Sequence, residues 1–436
     1  MFKQFFYFSV ILPILGFSQH QLKGVFSPAN EFKATMLYHL SEGNATYMSY
    51  GTVNPQGELQ IELEASAPSG IYKLVYALPQ ADHNFEFIYD ANHDVVFNFN
   101  IDSGVEFINS KENQLFQTYT QAINNAQKEL LQMYAKPSMD SRVYKRRSQK
   151  VDSIQKRYTL LSKGTIAARF INASQPYIAV KVESSDSYTK NVKAHYFDAI
   201  NFKDQVLQNS NFLIDKSIDY ILRMHTSSTP LLQDYKTNID TVCQQFLTTK
   251  PSFQLTSFVT LNDLLIEFNQ ETVALYLTKT YILPLAIQLK NPEQIVKSKD
   301  FMRVALGVKA PNFEINDQTS LYDLEAAANY LLIFWSSDCG HCLKELPKVY
   351  SYLASHPEKD IQVVAIGLEK TTEKWEKTIK IWPEFIHVFA DGKWENKLPK
   401  LYEVEATPSY YLLDASKTIT SKPYLLKDLM NVLDQK

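Results

Sequence analysis

Two of the three cysteines of this chain stand with two residues between them in the segment Phe334-Trp335-Ser336-Ser337-Asp338-Cys339-Gly340-His341-Cys342. Thiols at that spacing can close a small disulfide ring and reopen it, so the chemistry on offer is reversible thiol-disulfide exchange. Ahead of them, Tyr330-Leu331-Leu332-Ile333-Phe334-Trp335 is continuously apolar, as a central strand covered on both faces must be. Behind them, Cys342-Leu343-Lys344-Glu345-Leu346-Pro347 is compatible with a helix, so the box opens a helix. Unpaired N–H groups and the positive end of the helix dipole favour a thiolate there; Cys339 is expected to have a lowered pKa and to attack. Cys342, one turn further in, is then placed to resolve the mixed disulfide. His341 supplies a positively charged or hydrogen-bonding neighbour that favours the reduced thiolate form over the disulfide.

A pair of buried structural cysteines and half of a zinc site are the competing readings of the pair, and the zinc site is the more demanding. It needs further ligands, and the remaining Cys243 stands in Asp240-Thr241-Val242-Cys243-Gln244 with no histidine at ligand spacing. No metal and no organic cofactor are expected, and Cys243 reads as a free, partly buried thiol on a helix.

From about Leu306 to the C-terminus the chain resembles the TlpA/ResA-like branch of periplasmic thiol-disulfide oxidoreductases, which carry a thioredoxin fold. Gly307-Val308-Lys309-Ala310-Pro311-Asn312-Phe313 is similar to that family's opening strand, and Phe334 to Cys342 to its catalytic signature. Pro347 matches its helix-kinking proline. Ala406-Thr407-Pro408-Ser409, just before the apolar strand Tyr410-Tyr411-Leu412-Leu413-Asp414, resembles the cis-proline loop that faces the cysteines. A cis bond before proline costs only about 0.5–1 kcal/mol, and such a turn leaves the preceding backbone free to pair with an extended substrate. The resemblance implies a substrate groove formed by Trp335, Gly340, His341, Thr407 and Pro408. Trp335 has a second explanation, since an aromatic beside a redox loop either shields the thiols or fills the core.

Glu345 falls three residues after Cys342, where ResA-like members place a glutamate, and that spacing sets it beside Cys342 on a helix. The resemblance implies a proton acceptor or electrostatic tuner; a first-turn glutamate complementing the helix dipole is the alternative. Ile333, two residues before Trp335, occupies the place of a buried aspartate in thioredoxin, which leaves Glu345 as the candidate proton handler. A thiol peroxidase is a lesser alternative, because Ser336 stands where peroxiredoxins need threonine and their proline-rich motif is missing. A Cys-Gly-Pro-Cys thioredoxin lies near roughly −270 mV and a Cys-Gly-His-Cys disulfide isomerase near about −180 mV. That gap is worth ~4 kcal/mol for a two-electron couple, so the box alone leaves reduction, oxidation and isomerisation open.

The rest of 305–436 reads in β-α order as an α/β thioredoxin-like domain: a strand over 361–366, a helix over 372–381, a strand over 385–389, a short helix over 395–402, the strand at 410–414, a closing strand at 418–420 and a final helix over 424–433.

The remaining chain is expected to be modular, giving a multidomain fold. Lys3 followed by mostly apolar residues from Phe5 to Phe17, then Gly16-Phe17-Ser18, reads as a signal peptide over 1–18, cleaved after Ser18. It falls short of the ~20 apolar residues a spanning helix needs, and no later stretch reaches that length, so no integral membrane segment is expected in the mature chain. The expected location is periplasmic. Three cysteines in 436 residues exclude a disulfide-stapled scaffold. A net charge of −3 gives no global attraction to nucleic acid, and Lys145-Arg146-Arg147 reads as a solvated helix face.

Over 19–105 short alternating segments such as Leu59-Gln60-Ile61-Glu62-Leu63-Glu64 indicate an antiparallel β domain, a small sandwich similar to the all-β domains that precede exported thioredoxin modules. Its aromatics Tyr72, Tyr76, Phe85, Phe87 and Tyr89 read as sheet-face packing in preference to a sugar platform. Over 106–304 the pattern is mainly helical, beginning with Leu115, Tyr119, Ala122, Ala126, Leu130 and Met133, and interrupted between Ser162 and Ser185. It reads as a spacer or docking region. The function expected is an exported thiol-disulfide oxidoreductase acting on protein thiols and disulfides with an unidentified redox partner. The alternative is an envelope binding or scaffold protein with an accessory thioredoxin module.

Overall fold

A computed structural model describes residues 20–41, 44–134, 140–225, 229–325 and 327–435. The segment read as a signal peptide lies outside the described residues. The chain divides into two compact units between Thr229 and Pro230, within the stretch expected to be mainly helical.

In the first unit the strands are β1 (His20–Ser27), β2 (Ala34–Ser41), β3 (Asn44–Thr52), β4 (Glu58–Leu63), β5 (Gly70–Val75), β6 (Asn84–Tyr89), β7 (Val95–Asn100) and β8 (Gly104–Asn109). They form two four-stranded sheets, ordered β4-β1-β7-β8 and β3-β2-β5-β6. Alternating residues of both sheets, among them Leu22, Phe26, Leu59, Ile61, Tyr72, Leu74, Phe87 and Phe97, meet in one core. Gly24 is required there, because a Cβ on it would lie 2.1 Å from Cζ of Phe97. One expectation is corrected: β1 and β7 pair parallel, although the other pairs are antiparallel. The chain leaves the first sheet after β1, visits the second in β2–β3 and again in β5–β6, and returns in β7 beside β1 in the same direction, which alternation along a strand does not encode.

The helices of this unit are α1 (Lys111–Leu131), α2 (Ser141–Leu161), α3 (Ala167–Ala173), α4 (Ser185–Ala194), α5 (Gln205–Gln208) and α6 (Phe212–Arg223). Buried Asn113 fastens α1 to β6, accepting from the Ile88 N–H at 2.8 Å and donating to its carbonyl at 2.7 Å.

The second unit begins with α7 (Leu231–Phe246), α8 (Pro251–Glu267), α9 (Glu271–Leu277), a π-helical turn (Thr278–Ile282), α10 (Leu283–Gln288) and α11 (Pro292–Val304). The segment expected as an opening strand, 307–313, holds one isolated bridge, Lys309 to Thr418, and no strand. Pro311 lacks the N–H that a ladder needs there. The domain continues with β9 (Glu314–Asn316), β10 (Thr319–Ser320), β11 (Asn329–Trp335), α12 (Gly340–Ser355), β12 (Ile361–Glu369), α13 (Thr372–Ile379), β13 (Ile386–Asp391), α14 (Lys397–Leu401), β14 (Ser409–Asp414), β15 (Ile419–Ser421) and α15 (Leu426–Asp434).

Its five-stranded sheet runs β13-β12-β11-β14-β15, with β11 parallel to β12 and antiparallel to β14. The apolar run of β11 is explained by two cores. Tyr330, Leu332 and Phe334 face one of them, and Leu331, Ile333 and Trp335 the other, so every position is covered. Each large apolar side chain so buried contributes roughly 1.5–3 kcal/mol.

Candidate redox site

The strand β11 stops at Trp335, a turn closes with the Cys339 N–H bonded to the Ser336 carbonyl at 3.0 Å, and α12 begins at Gly340. Cys339 is the N-cap. Its Sγ accepts from the Cys342 N–H at 3.1 Å, so negative charge on this sulfur is met by a helix donor and by the helix dipole. Cys339 and Cys342 are disulfide-linked with Cα atoms 5.3 Å apart. Cys342 is fully buried in the core shared by Ile333 and Trp335, whereas Cys339 is partly exposed. The pair is therefore asymmetric, with one sulfur open to a partner and the other shielded. Pro347 lies inside α12.

Opposite the pair, the Thr407–Pro408 bond is cis and the Thr407 carbonyl oxygen is 3.4 Å from Cys339 Sγ. An open cavity of about 370 Å³ runs along this loop and is lined by His341, Glu345, Thr407, Pro408, Tyr410 and Tyr424 among others. His341 is exposed, and exposed Gly340 has open space where a Cβ would stand. The structure thus brings Cys339, Cys342, His341, Glu345, Thr407 and Pro408 to one place. Trp335 is set apart from them: expected in the groove, it is fully buried and packs edge-on against Trp382 at 5.3 Å. Its side chain follows the strand pleat into the core, so it fills volume below the disulfide.

Glu345 accepts a hydrogen bond from the buried Tyr410 hydroxyl at 2.9 Å. Burial, and next the bond to this carboxylate, push the Tyr410 phenol well above its ordinary range, so it remains a donor. Ahead of Cys339, exposed Asp338 is held between Lys374 and Lys393, each at 2.8 Å. Those two bonds pull its carboxyl down to about 2. Gly392, at φ 86°, makes the turn that delivers Lys393. Cys243, on α7, is buried and its thiol is pushed up by burial and by Asp240, which suits an inert side chain.

Glu369 escaped the sequence reading. It closes β12 at 2% exposure, and its carboxylate accepts from the Ser337 N–H at 2.5 Å and the Ser337 hydroxyl at 3.0 Å. It clamps the turn two residues before Cys339. The available signal was an acid ending the apolar run Ile361-Gln362-Val363-Val364-Ala365-Ile366-Gly367-Leu368. Among the described residues no group of three or more His, Cys, Asp and Glu side chains is arranged to hold a metal.

Residues 329–419 match a family model described as thioredoxin-like. The thiol-disulfide oxidoreductase ResA of Bacillus cereus is 25% identical over 127 residues, 28% of this chain and 72% of the relative. The sporulation thiol-disulfide oxidoreductase A of Bacillus subtilis is 32% identical over 87 residues, 19% of this chain and 52% of the relative, about half its length. Among solved structures, a domain of a possible thiol-disulfide isomerase from Cytophaga hutchinsonii is 36% identical over 30% of this chain and 91% of its own, with a TM-score of 0.26. A thioredoxin-like protein from Bacteroides caccae is 21% identical over 60% of this chain and 97% of its own, with a TM-score of 0.41. The C-terminal domain of this chain is thioredoxin-like, and it is similar in sequence to thiol-disulfide oxidoreductases.

Proposed function

We propose that this chain is an exported thiol-disulfide oxidoreductase that exchanges disulfides with protein substrates through Cys339 and Cys342. The observation that carries the reading is the asymmetry of the pair: a partly exposed sulfur at a helix N-cap, facing the Thr407 carbonyl, and a buried sulfur one turn behind it. In the reducing direction the Cys339 thiolate attacks one sulfur of a substrate disulfide. A Cys339–substrate bond forms, the substrate S–S bond breaks, and one substrate thiolate leaves. Cys342 then gives up its proton and attacks Cys339 Sγ, closing the enzyme disulfide and releasing the second substrate thiol. Two electrons pass from the dithiol to the substrate. Glu345, oriented by Tyr410, is the acceptor for the Cys342 proton in this scheme, and Thr407 with Pro408 shapes the groove in which an extended substrate lies.

Export rests on the composition of residues 1–18, and no helix among the described residues is long and apolar enough to cross a membrane. The catalytic test compares Cys339→Ser, expected to abolish reduction of a protein disulfide, with Cys342→Ser, expected to accumulate mixed disulfides separable on non-reducing gels. Wild-type rates in the Cys339 variant overturn the assignment. The export test is the N-terminal sequence of the protein recovered from the periplasmic fraction, expected to begin at Gln19.

A further inference from the structure

The wall of the redox groove opposite α12 is made by residues 422–425, an irregular stretch between β15 and α15. It carries two large apolar side chains into solvent: Tyr424 is 83% exposed and Leu425 is 56% exposed. Neither is committed to a core, so each gives up its water contact only when something covers it. Both line the same cavity as His341, Thr407 and Pro408. A chain whose sulfur reaches Cys339 along that loop therefore passes this wall.

The wall is anchored from outside the sheet. Lys422 donates to Glu271 at 2.5 Å, and the same carboxylate oxygen accepts the Leu306 N–H at 2.8 Å. The Lys422 and Glu271 side chains are only 25% and 13% exposed. Glu271 opens α9, far ahead of the redox box, so a helix from the preceding region ties down both the start of the thioredoxin-like domain and the rim of its groove. The charges at the rim are matched internally, Lys422 by Glu271, while the carboxylate of Glu345 accepts from Tyr410. What the wall still offers is apolar surface.

We propose that Glu271 is a positioning residue for substrate selection: through Lys422 it holds the wall of Tyr424 and Leu425, which selects polypeptide segments bearing a large apolar side chain beside the reacting cysteine. The inference rests on the thiol-disulfide exchange reading above, since the occupant is the segment that delivers its sulfur to Cys339.

The test uses the full chain, reduced, and two synthetic peptides with one internal disulfide each, identical except for Leu or Gly beside the reactive cysteine. The measured quantity is the ratio of their kcat/KM values. Wild type is expected to prefer the Leu peptide by about tenfold, and Glu271→Gln to reduce the ratio below roughly threefold by weakening the link to Lys422. Lys422→Met should do the same, and Lys422→Arg should keep the preference because it keeps the pair. These two decide the matter even if the Glu271 variant fails to fold. A ratio unchanged in Glu271→Gln or Lys422→Met, or an equal fall for both peptides, overturns the role of Glu271. Wild type active on both peptides without preference overturns the whole proposal and leaves the exchange reading standing, whereas wild type inactive on both overturns the exchange reading beneath it.

Discussion

Removing the Glu369 carboxylate should loosen the turn that presents Cys339, and the size of the effect follows from its two bonds to Ser337. Both are made inside the protein, with Glu369 at 2% and Ser337 at 1% exposure, so water does not replace a lost acceptor. Each buried donor left unsatisfied costs about 1–3 kcal/mol, which sums to ~2–6 kcal/mol for Glu369→Ala. Relief from burying a carboxylate that has no cation bonded to it among the described residues offsets part of this, giving an expected net loss of about 2–4 kcal/mol. Glu369→Gln keeps an acceptor for the Ser337 N–H and loses only charge assistance, about 1 kcal/mol, similar to Ser337→Ala. All four tryptophans, Trp335, Trp375, Trp382 and Trp394, lie in the thioredoxin-like domain, so their emission in urea follows that domain within the intact chain. The expected order of stability is wild type, then Ser337→Ala and Glu369→Gln together, then Glu369→Ala. A Glu369→Ala protein as stable as wild type, or indistinguishable from Glu369→Gln, refutes the clamp.

Glu345→Gln should keep the Cys339 alkylation rate and slow resolution of the mixed disulfide, and Tyr410→Phe, which frees the carboxylate, should slow it less; stopped-flow exchange rates superimposable on wild type remove Glu345 from the mechanism. Asp338→Asn deletes a negative charge beside Cys339 and leaves Lys374 and Lys393 in place, so alkylation of reduced Cys339 near pH 6 should be faster, Lys393→Ala should be slower, and both differences should shrink in high salt. In the other unit, burial lifts the Glu86 carboxyl from 4.5 to about 7 despite its bond from the Asn211 N–H. The folded group therefore holds its proton more tightly than the unfolded one, so the stability present below pH 4.5 is lost as pH rises through 7, by roughly 3 kcal/mol. Glu86→Gln should match wild type at pH 4 and exceed it at pH 8, read by circular dichroism of unfolding; parallel pH profiles contradict this.

What the sequence determined about this protein is what neighbouring residues decide among themselves. An apolar run, two cysteines three positions apart and a helix-compatible stretch are enough to put one sulfur at a helix N-cap and the other inside, because strand burial and helix dipole act over a few residues. The alternation of the β region and the buried thiol of Cys243 were legible on the same grounds. Tertiary structure decided whatever depends on how distant segments close on one another. It set Glu369 under Ser337 across 32 positions, Lys374 and Lys393 on Asp338, and Glu271 under Lys422 across 151. It turned Trp335 into the core, because the strand pleat and not the residue's nearness to the box fixes the direction of its side chain. It also laid β1 parallel to β7 and left 307–313 without a strand, since pairing depends on the return path of the chain and on the one N–H that Pro311 lacks. Local pattern carries direction along the backbone; only the closed fold supplies the partner.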